Sequence, residues 1–357
     1  MKIAVFVNAG LGNALLQIPL LKKLKKQGTI TGIFTSPYHC EELFDGSGIY
    51  DETISLYKNK TPLLWALENL KNFDSSYLDY FASTRKNLLI ANAVSKRIVA
   101  AKPPKNIPPF LKKNMTYVKP VKNTHEAAQN LRLFDNSISD ENIAETDFHL
   151  SYRAEPAHVS EIGASAIHAE LIDLISPFVA VQISGGNNKT PYKNWPAKSW
   201  AKFFRLATTY NETLNFVLLG DKNEIKVAEE ITDGNLPNVR SLVGQTNVKQ
   251  AVEIVGKCKF YLGVDSGLMH LAVVHNKPTF TIWGGSDYNM YGYAKINPER
   301  HWIIQQKLDC WPCNSWLNPN TSRVSDPNKC PDFQCIKSIS TEEVFEKFKA
   351  FAKKFNV

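Results

Sequence analysis

The chain has 357 residues, with 42 Lys and Arg against 34 Asp and Glu, a formal net charge of +8 and a pI near 9.0. Hydrophobic residues at 43% and charged residues at 21% are ordinary globular usage, which excludes a collagen, a disordered tail and a coiled coil. Six cysteines are too few for a small disulfide scaffold, and the length suggests two domains.

Residues 3–7 form an uninterrupted apolar run of the kind buried in parallel sheets, so a strand is expected there. The run is too short for a signal peptide. It breaks at Asn8 and Gly10, and Lys22, Lys23, Lys25 and Lys26 follow. No apolar run approaches the ~20 residues that cross a bilayer. A soluble, cytoplasmic protein is therefore expected, with a basic balance suited to an anionic partner. The turn from Asn8 to Asn13 leads into a helix over 14–26, which Pro19 kinks or delays. Further strands are expected at 30–35, 77–81 and 97–101, separated by helices. Residues 101–122 are a break with five prolines and six lysines, followed by an amphipathic helix over 124–134.

A second series begins near residue 178. Strands at 178–183, 214–219, 259–264 and 279–283 each stop at Gly, Ser or Asp, and the first three lead into helices. That is a doubly wound α/β pattern met twice in one chain, with no internal sequence repeat. Near the end, Ser340 and Glu343 suggest a capping box. It opens a helix whose stripe of Val344, Phe345, Phe348, Phe351, Ala352 and Phe355 packs on the body. Ligands in open α/β sheets bind beyond the strand C-termini, so a cleft between two such domains is the expected active site.

Asp265-Ser266-Gly267-Leu268-Met269-His270 follows a strand and opens a helix. Its free N–H groups at Ser266, Gly267 and Leu268, with the positive helix end behind them, make a phosphate site. Asp265 is expected to cap that helix, and the plainer alternative is a structural Asp265 with a core histidine at His270. Lys193, in Lys193-Asn194-Trp195-Pro196, is placed to neutralise a leaving pyrophosphate or is a solvated lysine.

Together with Gly10-Leu11-Gly12-Asn13-Ala14-Leu15-Leu16, Leu219-Gly220-Asp221-Lys222-Asn223-Glu224 and Gly263 to Ala272, these motifs resemble glycosyltransferase family 9, the ADP-heptose:lipopolysaccharide heptosyltransferases. The similarity runs through most of the chain and is strongest from 178 to 292. It implies a GT-B fold, with two Rossmann-like doubly wound domains facing a cleft. The acceptor-binding domain spans 1–170 and the nucleotide-sugar-binding domain 171–338, with a closing helix at 339–357. It also implies inversion at the anomeric carbon and no metal for transfer. By this resemblance Asp265, Ser266 and Gly267 hold the donor phosphates, and His270 supports their loop. Lys193 stabilises the diphosphate, Glu224 reaches the ribose, Ser184, Gly185 and Gly12 line the pocket, and Gln245 and Thr246 contact the base. The donor would be ADP-heptose. The acceptor would be a lipopolysaccharide core or related anionic glycan at the inner face of the inner membrane, with no nucleic acid as partner.

One departure concerns chemistry. The family loop usually reads Gly-Asp where this chain has Gly12-Asn13, and an amide cannot take the acceptor's proton. Asp79, near the end of the 77–81 strand, is the candidate substitute, the plainer reading being a structural carboxylate. Cys310, Cys313, Cys330 and Cys335 form two close pairs in a Pro-, Asn- and Trp-rich loop. They suggest structural zinc or iron, with reduced thiols or disulfides as alternatives. Cys40 and Cys258 are expected as buried small hydrophobes. The lysines of 102–122 are a solvated run or a membrane-facing patch. The alternatives to a transferase are a catalytically silent nucleotide-sugar binder and a GT-B-type epimerase or hydrolase. A Rossmann dehydrogenase is disfavoured, because Leu15 stands where the third glycine of the dinucleotide turn belongs.

Overall fold

The computed structural model describes residues 1–58, 62–102, 109, 113–153, 172, 175–185, 190–234, 236–313 and 326–356. The chain divides into two compact units, Met1–Glu155 and Pro156–Val357.

The first unit holds six parallel strands: β1 (Lys2–Val7), β2 (Thr29–Phe34), β3 (Glu52–Ser55), β4 (Phe73–Leu78), β5 (Ser95–Ala100) and β6 (Met115–Tyr117), in the order β3-β2-β1-β4-β5-β6. The second unit repeats the plan with β7 (Phe178–Gln182), β8 (Asn215–Leu219), β9 (Val239–Ser241), β10 (Tyr261–Val264), β11 (Thr279–Trp283) and β12 (His301–Gln305), in the order β12-β11-β10-β7-β8-β9. Counted within each unit, both orders are 3-2-1-4-5-6. The winding direction reverses between β1 and β4 in one sheet and between β7 and β10 in the other, and these reversals are where doubly wound folds hold ligands.

The central strands are apolar and almost fully buried, because helices cover both faces of a parallel sheet. Helix formation after β1 is interrupted, giving Leu11–Leu15 and Ile18–Lys25 in place of one helix over 14–26. Pro19 sits in the first turn of the second piece, where its missing N–H costs nothing.

The second core is aromatic. Helix Ala197–Tyr210 presents Trp200, Phe203 and Phe204 to β8, and the closing helix Thr341–Lys354 lays Phe348 and Phe351 against them and against Phe260 and Phe280. Phe203–Phe348 and Phe260–Phe351 ring centroids lie 5.0 and 5.1 Å apart. Each such side chain contributes about 1.5–3 kcal/mol by burial. Ser340 caps the closing helix by accepting from the Glu343 N–H at 3.1 Å. The Glu343 carboxylate pairs with Lys347, so only this arm of the expected capping box is seen among the described residues. Cys40 and Cys258 are buried. Among the described residues no helix is long and apolar enough to cross a membrane.

Candidate functional site

The reversal point of the second sheet gathers most of the residues singled out above. Ser184 and Gly185 follow β7, and Asp265 and Ser266 follow β10, the strand hydrogen-bonded beside it. The Lys193 ammonium meets the Asp265 carboxylate at 2.7 Å, with both side chains largely out of solvent. Burial alone would raise the pKa of Asp265. The Lys193 charge, with smaller help from His270 and Ser286, overrides it and holds the carboxyl below its ordinary range. Asp265 is thus an anion that keeps a cation in place.

Helix Gly267–Val274 starts here, with Ser266 at the N-cap position and making no side-chain cap. The expectation that Asp265 caps this helix is corrected: it lies one residue earlier and is ion-paired with Lys193. From Leu268 to Val274 every residue is buried, and in the run from Tyr261 to Val274 only Gly267 is not. A helix apolar all round is locked in the core. Its first-turn N–H groups lack intrahelical acceptors, and Gly267 is the one half-buried residue at that end.

His270 lies inside that helix. Its Nδ1 is 2.8 Å from the Tyr293 hydroxyl, and burial lowers its pKa to about 4. It is neutral at pH 7 and braces the helix rather than supplying charge. Tyr261 plays the same part for Ser266, its hydroxyl donating to the Val264 carbonyl at 2.8 Å and lying 2.9 Å from the Ser266 Oγ.

The Lys193 loop is fixed from two sides. Asn194 Oδ1 accepts from the Gly185 N–H at 3.1 Å, tying the loop to the end of β7. The adjacent Trp195 is buried and donates from Nε1 to the Ile339 carbonyl at 3.0 Å. Gly284, at the end of β11, has no room for a Cβ, which would stand 1.8 Å from the Tyr192 carbonyl. Gly185 is similarly closed, by Thr190 Oγ1 at 2.3 Å and the Lys193 stem at 3.1 Å.

Glu224 is fully buried. One carboxylate oxygen accepts from the Ser184 hydroxyl and the other from the Asp221 N–H at 2.8 Å. Burial raises its pKa to about 7 against those hydrogen bonds. A Cβ at Gly220 would lie 2.5 Å from Glu224 Oε2, so the glycine is what lets the carboxylate sit there. The turn carrying Gln245 and Thr246 is held beside Gly220 by the Gly244 N–H, which donates to its carbonyl at 2.9 Å. Gln245 itself is exposed.

The reversal point of the first sheet is different. Asp79 is the first residue beyond β4 and is buried. Gln17 Nε2 donates to its Oδ2 at 2.5 Å and the Ala82 N–H to its Oδ1 at 2.7 Å. Burial still lifts its pKa to about 6. Around it amides and hydroxyls knit the strand ends: Asn8 donates to the Phe81 carbonyl at 3.0 Å, and Asn87 to the Ala82 carbonyl at 3.0 Å. Asn13 and Gly12 lie half-exposed in the short helix Leu11–Leu15.

None of the six cysteines is in a disulfide. Cys335 is buried, and burial together with Cys313, Cys330 and Cys310 nearby pushes its thiol up to about 12. The Cys313 N–H donates to the Gly285 carbonyl at 2.8 Å and Trp311 Nε1 to the Ser286 carbonyl at 2.9 Å, seating this loop on the end of β11. Among the described residues no three His, Cys, Asp or Glu side chains converge as metal ligands. Much of the proline- and lysine-rich 101–122 stretch, and residues 314–325 between the cysteine pairs, lie outside the described residues.

Sequence reasoning missed Tyr293, Gln17 and Gly284 as supports. Tyr293 is 23 positions from His270 and Gln17 is 62 from Asp79, separations with no local signature.

Lipooligosaccharide heptosyltransferase 2 of Haemophilus influenzae is 32% identical over 98 residues, which are 26% of this chain and 28% of that protein. The matched stretch therefore spans little more than a quarter of that relative. Among solved structures, ADP-heptose lps heptosyltransferase II of E. coli superposes with a TM-score of 0.72 at 18% identity over 100% of both chains. E. coli heptosyltransferase WaaC with ADP gives 0.61 at 14% over 99% of both. These likenesses establish the GT-B fold class. The model of glycosyltransferase family 9 (heptosyltransferase) matches residues 108–321, and with well over half of its length matched, this chain belongs to that family.

Proposed function

We propose that this protein is an inverting glycosyltransferase that moves a heptose from an ADP-heptose-type donor onto a lipopolysaccharide core or related glycan at the membrane surface, with the first unit taking the acceptor and the second the donor. The observation that carries the reading is the buried Lys193–Asp265 pair set against the N-terminus of helix Gly267–Val274 at the reversal of the second sheet. A relative with ADP in its structure has the same fold, which supports a nucleoside diphosphate as the ligand.

When the glycosidic bond breaks, negative charge grows on the leaving diphosphate. Helix N–H groups and the Lys193 ammonium are positive and already in position, so their attraction increases toward the transition state. Transfer then proceeds without a catalytic metal. Ser184, Gly185 and Ser266 line the phosphate end, Glu224 fixes the adjoining turn toward the ribose, and Gln245 and Thr246 border the base. On the acceptor side Asp79, with its pKa near 6, is the carboxylate suited to take a hydroxyl proton at neutral pH, with Asn13 orienting the hydroxyl.

A second reading, a binder that no longer transfers, is favoured by two facts: position 13 carries an amide, and both Asp79 oxygens already accept hydrogen bonds. Donor turnover with and without acceptor separates the readings. Transfer requires acceptor, epimerisation or hydrolysis proceeds without it, and a silent binder shows neither.

Cys310, Cys313, Cys330 and Cys335 have the ligand chemistry for structural zinc or iron, although their side chains do not converge on one point in this structure. Such an ion would brace the loop seated on β11. Elemental analysis of the untagged protein tests it, and metal-free, fully folded protein rejects it.

A further inference from the structure

Eleven large hydrophobic side chains are exposed among the described residues, and all five leucines in that group lie on two neighbouring helices of the first unit or in the turn that follows the first of them. In helix Pro62–Glu68 and the turn after it, Ala66 points into the core and Trp65 packs against it. Leu63, Leu64, Leu67 and Leu70 stand 71, 60 and 57% exposed at positions 63, 67 and 70, and 53% at 64. Helix Arg85–Val94 packs beside it over the same core, sends Leu88, Ala91 and Val94 inward, and leaves Leu89 outward next to Arg85 and Lys86. Scattered exposed leucines are ordinary, but a helical stripe at i, i+1, i+4 and i+7 joined by a neighbour is not.

The charge around this stripe is mainly positive, the exposed Glu68 at the end of the first helix being the exception. From residue 58 to 102 there are eight Lys and Arg against three Asp and Glu, and one of the three, Asp79, is buried. Asp74 is engaged by Lys96, and Arg85 and Lys86 have no carboxylate partner among the described residues. A short helix with an apolar outer face and a cationic border suits the headgroup–acyl boundary of an anionic bilayer, where leucines enter the interface and cations meet lipid phosphates. A second copy of the chain would bring the same positive border against itself.

We propose that the outer face of helices Pro62–Glu68 and Arg85–Val94, carried by Leu63, Leu64, Leu67, Leu70 and Leu89 with Arg85 and Lys86, docks the protein on an anionic phospholipid surface. The use of such docking rests on the acceptor being a glycolipid, whereas the surface itself stands on exposure and charge.

The test is co-sedimentation of the full-length protein with phosphatidylcholine vesicles, with and without about a third phosphatidylglycerol. Wild type should bind the anionic vesicles, less in high salt, and the neutral ones far more weakly. Leu63→Glu/Leu67→Glu should lower partitioning by about tenfold or more. Arg85→Glu/Lys86→Glu should lower it on anionic vesicles. ADP affinity of both variants should equal that of wild type, which keeps a failure of docking distinct from a failure of the donor reading. Wild type that ignores anionic vesicles overturns the proposal. So does a leucine variant that binds as well as wild type, or sedimentation velocity showing a wild-type dimer that the leucine variant abolishes.

Discussion

The two sheets share one strand order, yet their reversal points carry opposite chemistry. The second presents a buried ion pair, a helix N-terminus at Gly267 and strand ends lined by Ser184 and Gly185. The first presents amides and hydroxyls from Asn8, Gln17, Thr35 and Asn87 around one carboxylate, Asp79. The fold supplies the same place twice, and the side chains decide what each place does. A diphosphate calls for the arrangement at the second sheet, while a neutral sugar hydroxyl that must lose a proton calls for that at the first.

The largest effect that would break this contrast lies on the acceptor side. Asp79→Asn should lower kcat by about 10²- to 10⁴-fold, the range of general-base assistance, and should remove the rise of rate as pH passes through about 6. Adding Asn13→Asp should restore part of that loss, since it returns a carboxylate to the loop. Product formation by the four combinations at positions 13 and 79 decides. Unchanged turnover in Asp79→Asn removes Asp79 from the role.

Lys193→Ala should cost about 10²- to 10³-fold in kcat with a smaller change in KM, because its charge matters most as the diphosphate leaves. Steady-state kinetics showing a raised KM alone would make Lys193 a uniform binding group.

A stability effect sharpens the same picture. Gly284→Ala drives a methyl against the Tyr192 carbonyl, so it should destabilise by roughly 1–3 kcal/mol and displace the Lys193 loop. Denaturant unfolding with parallel kinetics reads both consequences.

The effect of Glu224 is read against pH. Its folded pKa is raised from 4.5 to about 7, so the native state keeps a proton that the unfolded chain releases. Stability should therefore fall as pH rises from about 4.5 to about 7 and level off above. Glu224→Gln, which keeps one of the two acceptor oxygens and removes the titration, should flatten that slope in pH-dependent unfolding. A slope identical to wild type would mean the burial cost is carried elsewhere.

Much of this was legible in the residues, for a physical reason. Strands buried on both faces read as apolar runs, and β1, β2, β4, β5, β7, β8, β10 and β11 were all expected, within a few residues of their ends. The four strands not expected, β3, β6, β9 and β12, are the four sheet edges. Edge strands are half-solvated, and Glu52–Ser55 and Met115–Tyr117 contain no fully buried residue, so no apolar run marks them. The same split holds for the sites. Asp265, Ser266 and Gly267 are adjacent in sequence and announced themselves. The supports from Tyr293, Gln17 and Gly284 arise only when distant segments meet. The exposed leucines of 63–70 were invisible, because a buried and a solvent-facing apolar stripe have the same spacing.

The central claim is that the donor diphosphate sits on the N-terminus of helix Gly267–Val274. Calorimetric titration of ADP into wild type and Gly267→Asp tests it most directly. A carboxylate in the first helical turn favours the helix dipole, so the fold should hold while the anion is repelled. ADP should bind Gly267→Asp at least about tenfold more weakly than wild type, some 1.4 kcal/mol, with Asp79→Asn binding as wild type does. Equal ADP affinity in Gly267→Asp and wild type would place the donor elsewhere and contradict the account.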